Sequence, residues 1–497
     1  MEIIQSAKPL YAIAAALLSV LPICVSGEKR KNLREFWTII ASLMTFAIVT
    51  SMVPEILNGN TLEYAVITIV PGLELKFRVD ALSILFAETA SFLWIATSFY
   101  SIGYMRALKE RAQTRFFSYF AVAMAGAMGV AFSANLFTLF LFYEVITFST
   151  FPLVAHKETP QAIRSSRIYL VYIFGASVLF LLFAIFLTYA VAGTLEFSSG
   201  GVFAGEGVKV SNAVLTVIFV LFIAGLAKSA MIPFHGWLPA AMVAPTPVSA
   251  LLHAVVVVKA GVFSVIRVVL YIFGIDLLSQ LGLGIVLVYF ASFTIIVASI
   301  MALRQDNLKA RLAYSTISQL SYIILGVALL TPNGIAGGII HIAVHAFSKI
   351  TLFFAAGAIY VAQHKTRVSE LNGIAKQMPF TMIAFTIGSL SMIGLPPTSG
   401  FISKWYLFFG SIEAHQMPII IVLLASMVLN AFYFLPIVYA AFFKELPPGE
   451  KAERDEAPAF MVVPIMITAI GTLALLFWPS LFFELAGMVV ASVTGGN

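Results

Sequence analysis

Eight titratable side chains fall inside runs that are otherwise apolar. Glu144 sits in LFTLFLFYEVITFSTFPL, Lys228 in AGLAKSAMIPFHGWLPAAM, and His253 and Lys259 in LLHAVVVVKAG. His341, His345 and Lys349 share HIAVHAFSKITLFF, and Lys404 lies in GFISKWYLFF. A charge at the centre of a bilayer costs roughly 3 kcal/mol on insertion scales, so such residues persist where they handle ions or protons. Histidine and desolvated lysine can both exchange a proton near neutral pH, which makes proton transfer the chemistry these types suit. His341, His345 and Lys349 recur at every fourth position. That spacing drifts by only about 40° per step on a helix and puts all three on one stripe. His253 and Lys259 are six residues apart and face different ways. Glu144 is too deep in its run, and too short, to reach water at either end. A His-x3-His pair can hold zinc, but no further ligand lies near it in the chain, and no metal site is expected.

Helix breaks accompany two of the lysines. Pro233, Gly236, Pro239, Pro245 and Pro247 surround Lys228 and His253, and Gly394, Pro396, Pro397 and Gly400 precede Lys404. Proline removes an amide donor and clashes with the preceding turn, leaving backbone groups that hydrocarbon cannot satisfy. The spacing places a break about five residues after Lys228. A similar Gly/Pro break with a lysine recurs further along, and paired interruptions of this kind point to an inverted repeat with an ion site.

Hydrophobic residues make up 61% of the 497 and charged residues 10%, which places most of the chain in lipid. At about 20 residues per span, hydropathy predicts fourteen helices. They lie near 9–26, 36–57, 80–105, 116–134, 135–155, 167–191, 213–243, 247–272, 281–303, 311–330, 335–361, 380–410, 417–443 and 458–480, with the seventh and twelfth long and broken. Residues 481–497 are expected to form a short tail along the interface. The first span is read as retained, with no cleavage site before the basic cluster. After Pro71-Gly72, apolar and charged residues alternate from Leu73 to Val79, which predicts an extramembrane β-hairpin, and Asp80 is expected to cap the helix that follows. Twenty of the 29 Lys and Arg fall in the odd-numbered loops, against Lys8, Lys76, Arg78 and Lys209 on the other side. Lys451 belongs to the last of those odd-numbered loops. The positive-inside rule then makes those loops cytoplasmic and both termini external. Arg267, near a helix end, is expected to snorkel to the interface, while Glu88 reads equally well as a structural or a coupling group. The one cysteine, Cys24, excludes a chain-borne Fe–S cluster and internal disulfides. The basic residues fall in loops at regular intervals, which is no signature of nucleic-acid binding.

With these runs in view, the sequence resembles the antiporter-like subunits shared by respiratory complex I, membrane-bound hydrogenases and Mrp-type multisubunit cation/proton antiporters. The resemblance is carried by VDALSILFAETASFLWIATSFYSIGYM, FSANLFTLFLFYEVITFSTFPLVAHKETPQAIRSSRIYL, LAKSAMIPFHGWLPAAMVAPTPVSALLHAVVVVKAG, RLAYSTISQLSYIILG, HIAVHAFSKITLFFAAG and GLPPTSGFISKWYL. The HKETP loop and the length make it most similar to the D subunit of the Mrp type. The resemblance implies an all-α polytopic fold of two inverted five-helix repeats, helices 4–8 (111–275) and 9–13 (276–445). Residues 1–110 would precede them and residues 446–497 follow, as helix 14 and the tail. It also implies that Glu144 pairs with Lys228, that Lys259 links the halves, and that Lys404 leads to the far side, with His253, His341, His345 and Lys349 between. The implied function is proton translocation in a multisubunit Na+/H+ antiporter of the cell membrane, with other hydrophobic subunits as partners. The alternative is a pumping module of a redox-driven complex. No cofactor is expected in this chain.

Overall fold

The structure, a computed structural model, describes residues 2–70, 73–205, 210–450 and 452–495. The predicted Pro71-Gly72 turn, Lys209, Lys451 and Asn497 lie outside the described residues. The chain is helical with one small sheet. The first helices are α1 (Lys8–Leu18), α2 (Val20–Ser26), α3 (Lys31–Thr50), α4 (Val53–Leu57), α5 (Ala81–Ala107), α6 (Gln113–Ala131) and α7 (Leu136–Val154). Next come α8 (Pro160–Ala176), α9 (Leu182–Ala192), α10 (Asn212–Gly225), α11 (Trp237–Ala240), α12 (Val257–Arg267), α13 (Ile275–Gln280), α14 (Leu283–Leu303) and α15 (Leu308–Ala328). The last are α16 (Pro332–Gln363), α17 (Pro379–Ile393), α18 (Ser399–Glu413), α19 (Met417–Phe443), α20 (Ala459–Phe477) and α21 (Ser480–Thr494). π-helical turns at Val248–Val256 and Val268–Phe273 extend α12 at both ends into one rod.

Helix starts follow capping chemistry. Asp80, Asn135, Thr159, Ser211, Asn307 and Thr331 each accept a bond from the amide three residues on, as free first-turn donors require. Pro160 and Pro332 occupy first helical positions, where no amide is needed.

The predicted hairpin is present and gains a strand that is too short to read from sequence. β1 (Ile3–Gln5) pairs in parallel with β2 (Thr61–Val70), and β2 pairs antiparallel with β3 (Leu73–Val79), setting Leu62 opposite Val79 and Tyr64 opposite Phe77. Lys76 and Arg78 of β3 both pair with Glu63 and Glu196, which ties the sheet to the loop after α9. One end of the hairpin leads straight into Asp80 and α5.

Among the described residues, ten helices are long and apolar enough to cross a membrane, and Asn212–Gly225, Pro379–Ile393 and Ser480–Thr494 are shorter apolar helices. The two broken spans divide into short pieces, and α6 and α15 are long but richer in polar residues, so length and hydropathy do not single them out. The arrangement is inside-out relative to a water-soluble protein. The rod containing α12, and α16 from residue 337 to residue 359, are buried, whereas α8 with α9, and α19, present large apolar side chains outward, among them Val171, Phe186, Ile421 and Phe432. Lipid solvates that outer surface, and the polar side chains collect in the centre. The expected tail is instead the helix α21, which packs on α5 and α16 and buries Leu485, Ala486 and Val489.

Two expectations are corrected here. Arg267 does not snorkel. It is 1% exposed and grips Asp80 with both guanidinium arms, Nη1 to Oδ2 at 2.6 Å and Nη2 to Oδ1 at 2.9 Å. A bidentate carboxylate satisfies a buried guanidinium better than an extended reach to water. The first break also comes earlier than five residues past Lys228. α10 ends at Gly225, and Lys228 lies within the break on the turn Ala227–Ser229. The chain leaves the helix at Leu226, seven residues before Pro233 and so beyond the four-residue reach of that ring.

Candidate functional site

The α12 rod and α16 carry five of the eight side chains and fix their order. α12 meets the first break through Gly261. A Cβ there would stand 2.3 Å from the Ser229 amide nitrogen and 2.4 Å from the Lys228 carbonyl carbon, so only glycine allows the approach.

In the first half, the buried Lys228 ammonium is held by the helix that carries Glu144. Nζ donates to the Tyr143 carbonyl at 2.5 Å and to Thr147 Oγ1 at 2.8 Å, and it lies over the Tyr143 ring. Glu144 itself is not in contact. Both of its carboxylate oxygens are buried and without a hydrogen-bond partner. The closed Glu144–Lys228 pair expected from resemblance is therefore absent, because the ammonium has taken a carbonyl one residue earlier. His253 packs edge-on to Tyr169 and Trp237, and neither ring nitrogen has a partner. Trp237 in turn donates Nε1 to the Ala227 carbonyl at 3.0 Å, beside Lys228.

The second half is a row of neighbouring groups, some bonded directly and some through a shared carbonyl. Lys259 donates its ammonium to His345 Nδ1, joining α12 to α16. The ring centroids of His345 and His341 are 6.0 Å apart. His341 Nε2 meets Gln319 Oε1 at 3.0 Å, and Gln319 Nε2 donates to the Met392 carbonyl at 3.3 Å. Lys404 Nζ donates to that carbonyl at 2.6 Å and to the Ile393 carbonyl at 2.8 Å. Lys349 lies on the same stripe and donates to Ser315 Oγ and to the Leu312 carbonyl of α15. Gly394, at φ +93° in the second break, leaves the space in which the Lys404 stem lies, since a Cβ there would stand 2.6 Å from its Cδ.

The hydrogen-bond inventory fixes protons along this row. A carbonyl can only accept, so Gln319 must present NH2 to Met392 and its oxygen to His341. His341 therefore carries its proton on Nε2. Its Nδ1, 2.8 Å from Ser403 Oγ, then accepts from that hydroxyl. His345, accepting from Lys259 at Nδ1, carries its proton on Nε2, which is buried and unpartnered.

The two prolines of the second break explain where Lys404 sits. In a continuous helix the carbonyls of Met392 and Ile393 would accept from residues 396 and 397, and both of these are proline. Having no amide hydrogen, they orphan two consecutive buried carbonyls, and the ammonium fills both.

Gln319, Ser403, Ser315, Tyr143 and Thr147 were not singled out from sequence. For two of these, Ser315 and Gln319, the signal was partly present. Ser315, Gln319 and Tyr322 recur at intervals of four and three within the apolar α15, which makes a polar stripe facing that of α16. Among the described residues, no group of three or more His, Cys, Asp or Glu could hold a metal.

The family model described as NADH:quinone oxidoreductase/Mrp antiporter, TM, matches residues 133–430, and the one described as NADH-Ubiquinone oxidoreductase (complex I), chain 5 N-terminus, matches residues 71–117. The chain belongs to the NADH:quinone oxidoreductase/Mrp antiporter transmembrane family. It is an antiporter-like integral membrane protein, multi-pass by its fold. The NADH-quinone oxidoreductase subunit N of Desulforudis audaxviator is 32% identical over 480 residues, covering 92% of this chain and 94% of that one. The fold matches a chain of the Mrp complex from Dietzia sp. DQ12-45-1b with a TM-score of 0.87 at 24% identity, covering 98% of this chain and 97% of that one. It also matches a chain of the membrane-bound sulfane sulfur reductase, an archaeal respiratory membrane complex, with a TM-score of 0.86 at 24% identity, covering 98% of each. Both of those structures are complexes.

Proposed function

We propose that this chain is the proton-translocating subunit of a multisubunit monovalent-cation/proton antiporter of the Mrp type, with Na+ as the exchanged cation and other hydrophobic subunits as partners. The observation that carries this reading is the contact row from Lys259 through His345, His341 and Gln319 to Lys404. Every member can give or take a hydrogen bond, and most can give or take a proton. Glu144, Lys228 and His253 extend the row into the first half, where the ammonium of Lys228 has two resting places. One is the Tyr143 carbonyl it now holds, and the other is the unpartnered Glu144 carboxylate one residue on. Movement between them gives the first step a switch. The membrane is the cell membrane, with both termini outside, in keeping with the basic odd-numbered loops. External labelling of a cysteine placed at Arg111 would refute that orientation.

The test of the relay is pH-gradient-driven cation exchange in membrane vesicles, with assembly checked by blot. Glu144→Ala and Lys404→Gln are expected to abolish exchange. Glutamine can still cap the Met392 and Ile393 carbonyls but carries no exchangeable charge. Near-normal exchange in Lys404→Gln would return that residue to scaffolding. Lys404→Arg should fail as well, since its pKa above about 12 holds the proton. Lys404→Glu should retain part of the activity with a shifted pH optimum.

A second reading, a pumping module of a redox-driven complex, draws on the 32% identity to an NADH-quinone oxidoreductase subunit over nearly the whole chain. Iron–sulfur or hydrogenase subunits co-purifying in mild detergent would favour it. Only small hydrophobic subunits would favour the antiporter.

A further inference from the structure

We propose that Lys157, Lys309 and Lys365 form a binding site for a phosphate group, supplied as free phosphate or as the headgroup of an anionic lipid. The three lysines lie just past α7, at the start of α15 and just past α16, and all belong to the basic odd-numbered loops. They line one cavity of about 210 Å3, and none of the described residues lining it is acidic. The backbone fixes two of them side by side. Leu308 donates its amide to the Thr366 carbonyl at 2.9 Å, which ties the start of α15 to the loop after α16.

Lys309 carries the argument. Its Nζ donates to the Ala244 carbonyl at 2.6 Å and takes no other partner among the described residues. An ammonium has three hydrogens, so two remain, and the one acceptor it has is uncharged. The other two lysines are offset from outside the cavity, Lys157 by Glu110 at 3.9 Å and Lys365 by Glu450 at 2.7 Å. Lys309 is half-buried, has no carboxylate within ion-pair reach among the described residues, and feels the like charge of Lys157. The cavity is therefore one negative charge short.

A phosphate group supplies that charge. A phosphodiester carries one negative charge and presents its oxygens in several directions, so Lys309 can donate to it while Lys157 and Lys365 keep their carboxylates. Asn307 adds a donor to the lining. Its Oδ1 caps the Ala310 amide at 3.0 Å, and Nδ2, on the same planar group, takes no partner among the described residues. The positive end of the α15 dipole lies at the same place. Basic pockets between membrane helices hold lipid phosphates by these means. None of the donors belongs to the row from Lys259 to Lys404, so the site does not depend on the proton-translocating reading.

The test uses the assembled complex in mild detergent. Equilibrium binding of radiolabelled orthophosphate is measured, and binding of phosphatidylglycerol is compared with that of phosphatidylcholine in mixed micelles. Lys309→Gln keeps a donor for the Ala244 carbonyl and removes the charge. Free phosphate as the source predicts saturable orthophosphate binding that falls by about tenfold or more in Lys309→Gln. A lipid source predicts no such orthophosphate site, and a preference of about tenfold or more for phosphatidylglycerol that Lys309→Gln loses. Lys157→Gln should weaken the same probe. Lys29→Gln, which removes an exposed charge from a basic loop outside the cavity, should change neither. An assembled Lys309→Gln that matches wild type with both probes overturns the proposal. An equal loss in Lys29→Gln overturns it too, as general attraction to basic loops. If Lys309→Gln does not assemble, Lys157→Gln carries the test, and binding equal to wild type overturns the site.

Discussion

Lys228 is held by the residue next to Glu144. Its Nζ is 2.5 Å from the Tyr143 carbonyl, while the Glu144 carboxylate, one position on, has no hydrogen-bond partner. The proposed switch makes this one of two positions of the lysine, the other being on the carboxylate. The double mutant distinguishes this from two independent roles. Glu144→Ala and Lys228→Ala should each abolish proton movement in vesicles at normal protein levels, and the pair together should cost far less than the sum. Strictly additive losses would count against a shared switch.

Thr147 supplies the other acceptor for that ammonium, at 2.8 Å. Thr147→Val removes it without changing side-chain shape. The ammonium should then favour Glu144, and exchange should slow by roughly tenfold if one hydrogen bond to a charged group, about 1.5–3 kcal/mol, is lost from this position alone. Initial rates of vesicle acidification measure it. An unchanged rate would show that the Thr147 contact does not set the switch.

Gln319 orients His341 through the Met392 carbonyl. Gln319→Leu removes that orientation and leaves His341 Nε2 without its partner. Exchange should fall at least tenfold with an altered pH profile, whereas Gln319→Asn, which keeps both amide ends on a shorter stem, should recover part of it. A purely structural role would lower protein amount and leave the pH profile of the surviving protein as it was.

Asp80 is the counter-charge of a guanidinium that is only 1% exposed. Asp80→Ala strands Arg267 and should cost about 3–5 kcal/mol, seen as a lower thermal midpoint in detergent. Asp80→Ala combined with Arg267→Leu should regain more than half of the loss. A midpoint unmoved by Asp80→Ala would contradict the buried pair.

His156, just past the end of α7, packs edge-on to Phe116, and burial together with the nearby Arg115 charge pushes its pKa down to about 4. The native state therefore holds it neutral while the unfolded chain protonates below about 6.5, so its contribution is present above that value and is lost as pH falls toward 4. The loss amounts to roughly 3 kcal/mol at about 1.4 kcal/mol per pH unit. His156→Phe should flatten the fall of the thermal midpoint between pH 6.5 and 4. An equal fall in both proteins would exclude His156 as its source.

Much of the axis was legible because charge and proline stand out against apolar sequence. Glu144, Lys228, Lys259 and Lys404 announce themselves by type alone, and His341, His345 and Lys349 by a four-residue spacing that holds on any helix. What stayed hidden depended on residues distant in the chain. Arg267 reads as an end-of-helix arginine until Asp80, 187 positions away, is seen against it. The strand Ile3–Gln5 is too short to carry a period and exists because Thr61–Glu63 offers it an edge. Gln319 was within reach, since Ser315, Gln319 and Tyr322 form a stripe, but uncharged polar residues are common enough in membrane helices not to draw notice. The first break was misplaced because the helix ends at Gly225, eight residues before Pro233, whereas in the second break the prolines act on the carbonyls four residues upstream of themselves.

The same backward reach shapes how this protein would look to genetics. Met392 and Ile393 lend the axis only main-chain oxygens, which every amino acid possesses. A saturation screen would tolerate apolar side chains of similar size at both positions, as it does anywhere in the core, and miss the oxygens they lend. The intolerance would be recorded at 396 and 397 instead, whose rings touch no proton. A map of allowed substitutions would thus outline the centre of the second half from its border and leave the centre itself blank.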